Sequence, residues 1–181
     1  MRLGFLPALI LLAAVPVVAL GAEGYTGQQT RDIKALSADD VADLLAGRGM
    51  GLAKPAELNH YPGPAHVLEM KDQLGLSPEQ VGAVEASFRK MSDAAKPLGA
   101  ALVERERGLD RGFADATMTA EALRAETQAI GDLQGRLRAV HLAAHLETRA
   151  VLTPAQITRY DALRGYGDGS EQPHHHHDHG G

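Results

Sequence analysis

Cysteine and tryptophan are both absent from this 181-residue chain, and aromatic residues make up only 4% of it. Without cysteine there is no disulfide to staple a small fold and no thiolate to hold a soft ion such as copper(I). A lipid-anchored lipoprotein is excluded too, because no cysteine follows the apolar leader. A core left to alanine, leucine and valine suits thin, closely packed helices rather than a deep globular core or a sandwich. Positive charge is also short. The net formal charge is -5, and no basic face or aromatic platform is available to bind nucleic acid. Catalytic signatures are missing as well. His141-Leu142-Ala143-Ala144-His145 has the outer spacing of a zinc-hydrolase motif but lacks its glutamate, and no Ser/His/Asp set stands in a suggestive order. Gly47-x-Gly49-x-Gly51 lacks the preceding strand and the spacing of a phosphate loop. The chain therefore reads as a binding protein, not an enzyme.

What remains is enough for one modest domain. Residues 1–22 read as a cleaved signal peptide, with Arg2 as the positive end, an apolar run from Leu3 to Leu20, and small residues Gly21-Ala22 at the cut. The alternative is an uncleaved membrane anchor, since such a run can span a bilayer. Both predict export. An exported chain without disulfides must draw its stability from helix packing or from an oligomer. Residues 23–63 form a lead-in. Its first part, to residue 34, is polar and aperiodic and reads as disordered. Ser37 then caps a short helix with Asp39 and Asp40 in its first turn. After it, Gly, Pro and Asn crowd residues 47–63, an ordered loop or a linker with no evident role.

Residues 64–165 carry the main signal. Pro62-Gly63-Pro64 opens a short helix, and Leu76-Ser77-Pro78-Glu79-Gln80 starts a long one. Its apolar positions, Val81, Val84, Phe88, Met91, Ala95, Leu98 and Leu102, alternate three and four apart. Pro97 falls inside this helix and should bend it. Thr119 caps a second long helix whose seam is Leu123, Ile130, Leu133, Leu137, Val140 and Ala144, with Leu142 and Leu146 adding another apolar stripe. Leu152-Thr153-Pro154-Ala155-Gln156 then starts the last helix. The fold class is all-α, a long antiparallel hairpin with flanking short helices. Its topology should bring the two Leu-(Ser/Thr)-Pro-x-Gln motifs to one end.

Histidine supplies the candidate chemistry. His141 and His145 lie four apart, so one helix presents both imidazoles on one side at a spacing that can share a divalent ion. The competing reading is a pair of ordinary helix residues beside the seam. Two ligands do not close a site; zinc needs four, while nickel, cobalt or copper(II) accepts more from imidazole, carboxylate and water. Sliding one motif onto the other places Glu69 at the position of His145, and Ala65 and His66 at His141 and Leu142. This pseudo-symmetry makes His66 and Glu69 the candidate supplements. Residues 166–181 form a flexible tail in which His174, His175, His176, His177 and His179 are metal-binding in composition. A purification tag is the other origin for such a run. The interruption at Asp178 favours a natural collector of loosely held ions.

With the motif pair Leu76-Ser77-Pro78-Glu79-Gln80 and Leu152-Thr153-Pro154-Ala155-Gln156 flanking a long hairpin, residues 66–165 resemble the Spy/CpxP-like periplasmic proteins, marked by two Leu-Thr-x-x-Gln motifs. That resemblance implies a bent four-helix hairpin dimerising into a curved cradle. It implies two candidate roles. One is a periplasmic zinc, nickel or cobalt protein of the heavy-metal sensor or resistance type, with a membrane-bound signalling partner. The other is an ATP-independent holdase for unfolded clients in envelope stress.

Overall fold

The structure, a computed structural model, describes residues 24–167. Residues 24–30 are the described part of a separate unit and contain a 3-10 turn at Gln28–Thr30. Neither the expected signal peptide nor the histidine tail falls within the described residues. From Arg31 onward the described residues contain seven α-helices and no strand. These are α1 (Ala38–Ala46), α2 (Lys54–Glu57), α3 (Pro64–Glu69), α4 (Lys71–Leu74), α5 (Pro78–Ala114), α6 (Ala120–Val151) and α7 (Pro154–Arg164).

The long hairpin of α5 and α6 is the frame. Arg105 pairs with Glu126 near its turn, while Ser87 and Lys90 both reach Glu147 lower down, so the helices run antiparallel. The two repeated motifs meet at the open end, as their spacing predicts. Ser77 and Thr153 each build a capping box, in which the hydroxyl accepts from the main chain of Gln80 or Gln156. Each glutamine amide oxygen returns to the cap's own N–H. The remaining amide hydrogens join the two motifs to one another. Gln80 Nε2 donates to Gln156 Oε1 at 2.9 Å and to Val151 O, and Gln156 Nε2 donates to Gln80 Oε1 at 3.0 Å. Glutamate would serve the cap as well, but two carboxylates here would repel and have no proton to share. That is why the motif ends in Gln.

Two cores flank this frame. Ile33, Leu44, Ala95, Leu102, Val103, Ile130 and Leu137 fill one, where α1 lies on the hairpin. Val67, Leu74, Val84, Leu152 and Tyr160 fill the other, at the motif end. Close contact between α1 and α5 depends on Gly99, because an ideal Cβ there would stand 2.0 Å from the carbonyl oxygen of Leu44.

Several expectations need correction. Ile33 is 1% exposed, so the lead-in is tied into the core before α1 begins. The predicted second short helix breaks at Met70 into α3 and α4. Phe88, Met91 and Leu98 are only half-buried, and Leu123 is exposed. The second stripe on α6 is the largest change. Leu146 is exposed, and the buried positions beside the seam are His141, His145 and Thr148. What lies over the two histidines is the segment 47–63.

Candidate functional site

A helix that buries two histidines must satisfy four ring nitrogens or leave some bare. The covering segment begins at Gly47, whose left-handed φ of 68° ends α1 and turns the chain toward α6. Gly49 passes over His141; a Cβ on it would stand 3.7 Å from Nδ1. The short helix α2 then delivers Glu57. Tyr61 offers its carbonyl oxygen to His145 Nδ1 at 2.7 Å. A carbonyl only accepts, so Nδ1 carries the proton, and in the neutral ring the lone pair is on Nε2. Gly63 packs so closely on the same ring that a Cβ would lie 2.9 Å from Cε1 and 3.1 Å from Nε2.

Glu57 is the centre of a polar cluster. Its Oε1 accepts from Tyr160 Oη at 2.5 Å and lies 3.4 Å from Arg164 Nε. Its Oε2 is 3.7 Å from His145 Nδ1 and makes no hydrogen bond. Tyr160 is fully buried, and that burial, together with Glu57, pushes the phenol far above its usual range, so it stays a donor. His141 Nε2 is likewise buried without a partner. The site thus holds two buried electron-pair donors without a hydrogen-bond partner.

Burial, and then the charge of His145, lower the His141 pKa below the ordinary imidazole value. The ring is therefore neutral, the form that can donate a lone pair. The consequence for stability has a definite sign. As pH falls below the unfolded imidazole value of about 6.5, the unfolded chain takes up a proton that the folded chain resists, so stability drops from there toward the folded pKa. Thermal unfolding followed by circular dichroism should show the melting temperature falling between about pH 7 and pH 5. His141→Leu, which has no proton to gain, should flatten that fall. An unchanged slope in the variant would assign the acid sensitivity elsewhere.

The other predicted ligands divide. His66 lines a cavity of about 330 Å³ together with His145, Glu57, Met50, Lys54 and Arg164. Glu69 does not enter it; its side chain is exposed while His66 is half-buried, and its Oε2 sits 3.0 Å from His66 Nδ1, a local i,i+3 pair. Pseudo-symmetry thus places His66 near His145 but leaves Glu69 outside. His60, in the covering segment and not among the predicted ligands, pairs with Asp161 at 2.8 Å. The tail residues His174, His175, His176, His177 and His179 lie outside the described residues. Among the described residues, no three of His, Asp and Glu are arranged to close on an ion. Lys54 and Arg164 on the cavity wall add positive charge against a cation, offset in part by Glu57. The donor types fit a divalent ion, but the set has to draw together to hold one.

Glu57, Tyr61 and Tyr160 were not anticipated as site residues. The usable signal was a carboxylate among Leu52, Ala53, Ala56 and Leu58, in a stretch ended by the stiff Pro62-Gly63-Pro64. A segment so rigid at its exit is poorly suited to be a linker.

The family model described as LTXXQ motif family protein matches residues 65–164. No curated protein and no solved structure matches the chain. The matched stretch contains both repeated motifs, His141 and His145, and it begins after the covering segment ends.

Proposed function

This chain belongs to the LTXXQ motif family, that of the Spy/CpxP-like periplasmic proteins, and on that premise we propose that it is an exported divalent-metal-binding protein of the heavy-metal sensor or resistance type. The observation that carries the reading is the pair of buried, unpartnered donors, His141 Nε2 and Glu57 Oε2, beside a histidine whose tautomer is already set. An imidazole that gives its Nδ1–H to a carbonyl and keeps Nε2 free is oriented as metal-ligating histidines are. His141, His145 and Glu57 would hold the ion, and His66 would join from the cavity wall. Imidazole and carboxylate donors without thiolate suit zinc, nickel or cobalt, and copper(II) as well. Bound there, the ion would supply a structural cross-link between α6 and the segment before α3. Export by residues 1–22, assembly as a homodimer and a membrane-bound signalling partner belong to the same reading, and catalysis has no part in it. The tail would gather ions loosely.

The test is calorimetric titration of zinc and nickel into the full chain with the five tail histidines changed to serine. One ion per chain is expected. Changing His141 and His145 together to alanine, or Glu57 alone to alanine, should weaken binding roughly a hundredfold or more, since loss of even an outer-shell group costs 10- to 100-fold. Unchanged stoichiometry and affinity would sink the site. A second reading, a holdase for unfolded clients, has one observation of its own. A groove of about 480 Å³ near the hairpin turn is lined by Ala35, Leu109, Phe113 and Ala114 together with the charged Lys34, Glu106 and Asp110, and Phe113 is 59% exposed.

A further inference from the structure

A second cavity, of about 520 Å³, has His60, Arg149, Asp161, Tyr166 and Gly167 on its wall and shares no residue with the cavity at His145. Asp161 is 8% exposed. Its Oδ2 accepts from His60 Nδ1 at 2.8 Å, and its Oδ1 is buried without a partner. The imidazole is thus the carboxylate's one hydrogen-bond donor among the described residues. A carboxylate only accepts, so Nδ1 carries the proton, and in the neutral ring the lone pair is on Nε2. That nitrogen is at the far end of a side chain that is 54% exposed.

The backbone is committed to this arrangement. His60 has a φ of 64°, in the left-handed region that few residues with a side chain enter. Two hydrogen bonds close the turn around it, from the Asn59 side chain to Pro55 O and from Tyr61 N–H to Ala56 O. A histidine that gives one N–H to a buried carboxylate and turns its other nitrogen outward is oriented as metal-ligating histidines are. One imidazole cannot hold an ion, because zinc takes four ligands.

The cavity wall also shows where the others can come from. Residues 168–181 leave the fold at Gly167, which lines the same cavity as His60. They carry His174, His175, His176, His177 and His179, with Asp168, Glu171 and Asp178 and no lysine or arginine. His174 stands seven residues past Gly167, a reach of up to about 24 Å. Those three carboxylates complement Arg149, the exposed cation on the wall, whose guanidinium lies 4.3 Å from the Tyr61 ring centre. A tethered ligand set meets His60 at an effective concentration on the order of millimolar, so closing on a shared ion is favoured over loose capture.

We propose that His60 and the histidines of residues 168–181 close together on one divalent ion of the zinc or nickel kind, with Asp161 positioning the His60 ring. This site is separate from the buried donors and does not need them. It gives the tail one fixed anchor, and it ties the end of α7 to the segment that covers His141 and His145.

Zinc titration of the full chain tests the site, read from the His60 ring by nuclear magnetic resonance and from affinity by calorimetry. The ring signal is assigned by its loss in His60→Asn, where asparagine accepts the left-handed φ and keeps the turn. Zinc should shift the His60 ring in the full chain and leave it unmoved when the five tail histidines are serine. Asp161→Asn should weaken the ion that the tail histidines add by about tenfold, as loss of a group that orients a ligating histidine does. His60→Asn should weaken it at least as much. Asp161 is buried, so its variant is compared only if its metal-free melting curve is cooperative; His60→Asn, at a half-exposed side chain, carries the test without it. A His60 ring that zinc does not move in the full chain overturns the site, as does unchanged tail-dependent affinity in His60→Asn. A ring that shifts equally without the tail histidines overturns it too. So does zinc-driven association of chains beyond that of the metal-free protein in sedimentation, since the ligands would then come from a second copy.

Discussion

Replacing Tyr160 with alanine is expected to destabilise the domain by about 3–5 kcal/mol, the range for emptying a buried aromatic site. Tyr160 is fully buried in the core that also holds Val67, Leu74, Val84 and Leu152. Few neighbours can collapse into the space, because the residues around it belong to α3, α4, α5 and the junction of α6 with α7, and Ser77 and Thr153 cap α5 and α7 there. The hydroxyl contributes separately. Without it, Glu57 keeps only Arg164 at 3.4 Å, and a largely buried carboxylate loses its best donor. In a chain of this size the melting temperature should fall by about 10 °C or more. Tyr160→Phe separates the two contributions: it should cost about 1.5–3 kcal/mol, the range for a hydrogen bond to a charged group. Equal losses in the two variants would mean that the hydroxyl matters and the ring does not, contrary to the packing.

The second large effect is expected at Gly99, where helix propensity and tertiary contact pull in opposite directions. Glycine inside a helix costs about 1 kcal/mol relative to alanine, so Gly99→Ala gains that much locally. Against it stands a Cβ placed 2.0 Å from Leu44 O and 2.7 Å from Leu44 C. The obstacle is main chain in the last turn of α1, which cannot rotate away as a flexible side chain would. Overpacking of this kind costs about 1–3 kcal/mol and sometimes more. Here it also lifts Leu44, 4% exposed, off the core it shares with Ile33, Ala95 and Leu102. The net expectation is a loss of about 2 kcal/mol, or roughly 4–8 °C in melting temperature. Gly131 in α6 is the control. It is exposed, and a Cβ there meets nothing within 4 Å. Gly131→Ala should therefore raise the melting temperature by roughly 2–4 °C. Stabilisation by Gly99→Ala would show that α1 does not dock on α5 as closely as described.

Legibility in the sequence followed the range of the interactions concerned. The caps at Ser37, Ser77, Thr119 and Thr153 were readable because a cap is a contact between a hydroxyl and an amide three residues on. The hairpin was readable because its seams repeat at three and four, and Val84, Ala95, Leu102, Ile130, Leu137 and Ala144 are buried as that rule requires. The histidine stripe was misjudged for a definite reason. Hydrophobicity favoured Leu142 and Leu146 as the second buried face, but a helix face is buried only if something lies on it. Here the covering chain comes from residues 47–63, and it lies over His141 and His145.

By itself, the sequence determined that this is an all-helical chain with an antiparallel hairpin, two equivalent helix starts and a pair of histidines on one helix. These follow from contacts of a few residues' span and from the period of the α-helix. Tertiary structure decided the rest. It buried the histidine pair instead of leaving it on a surface, and it chose Glu57 over Glu69 as the neighbouring carboxylate. It also turned an unassigned Gly- and Pro-rich segment into the cover of the site. The physical reason is that Glu57 and Tyr160 stand 103 residues apart, and Tyr61 and His145 stand 84 apart. No local period records such a pairing. It exists only once both cores have formed and the unpaired polar groups between them must find partners or go without.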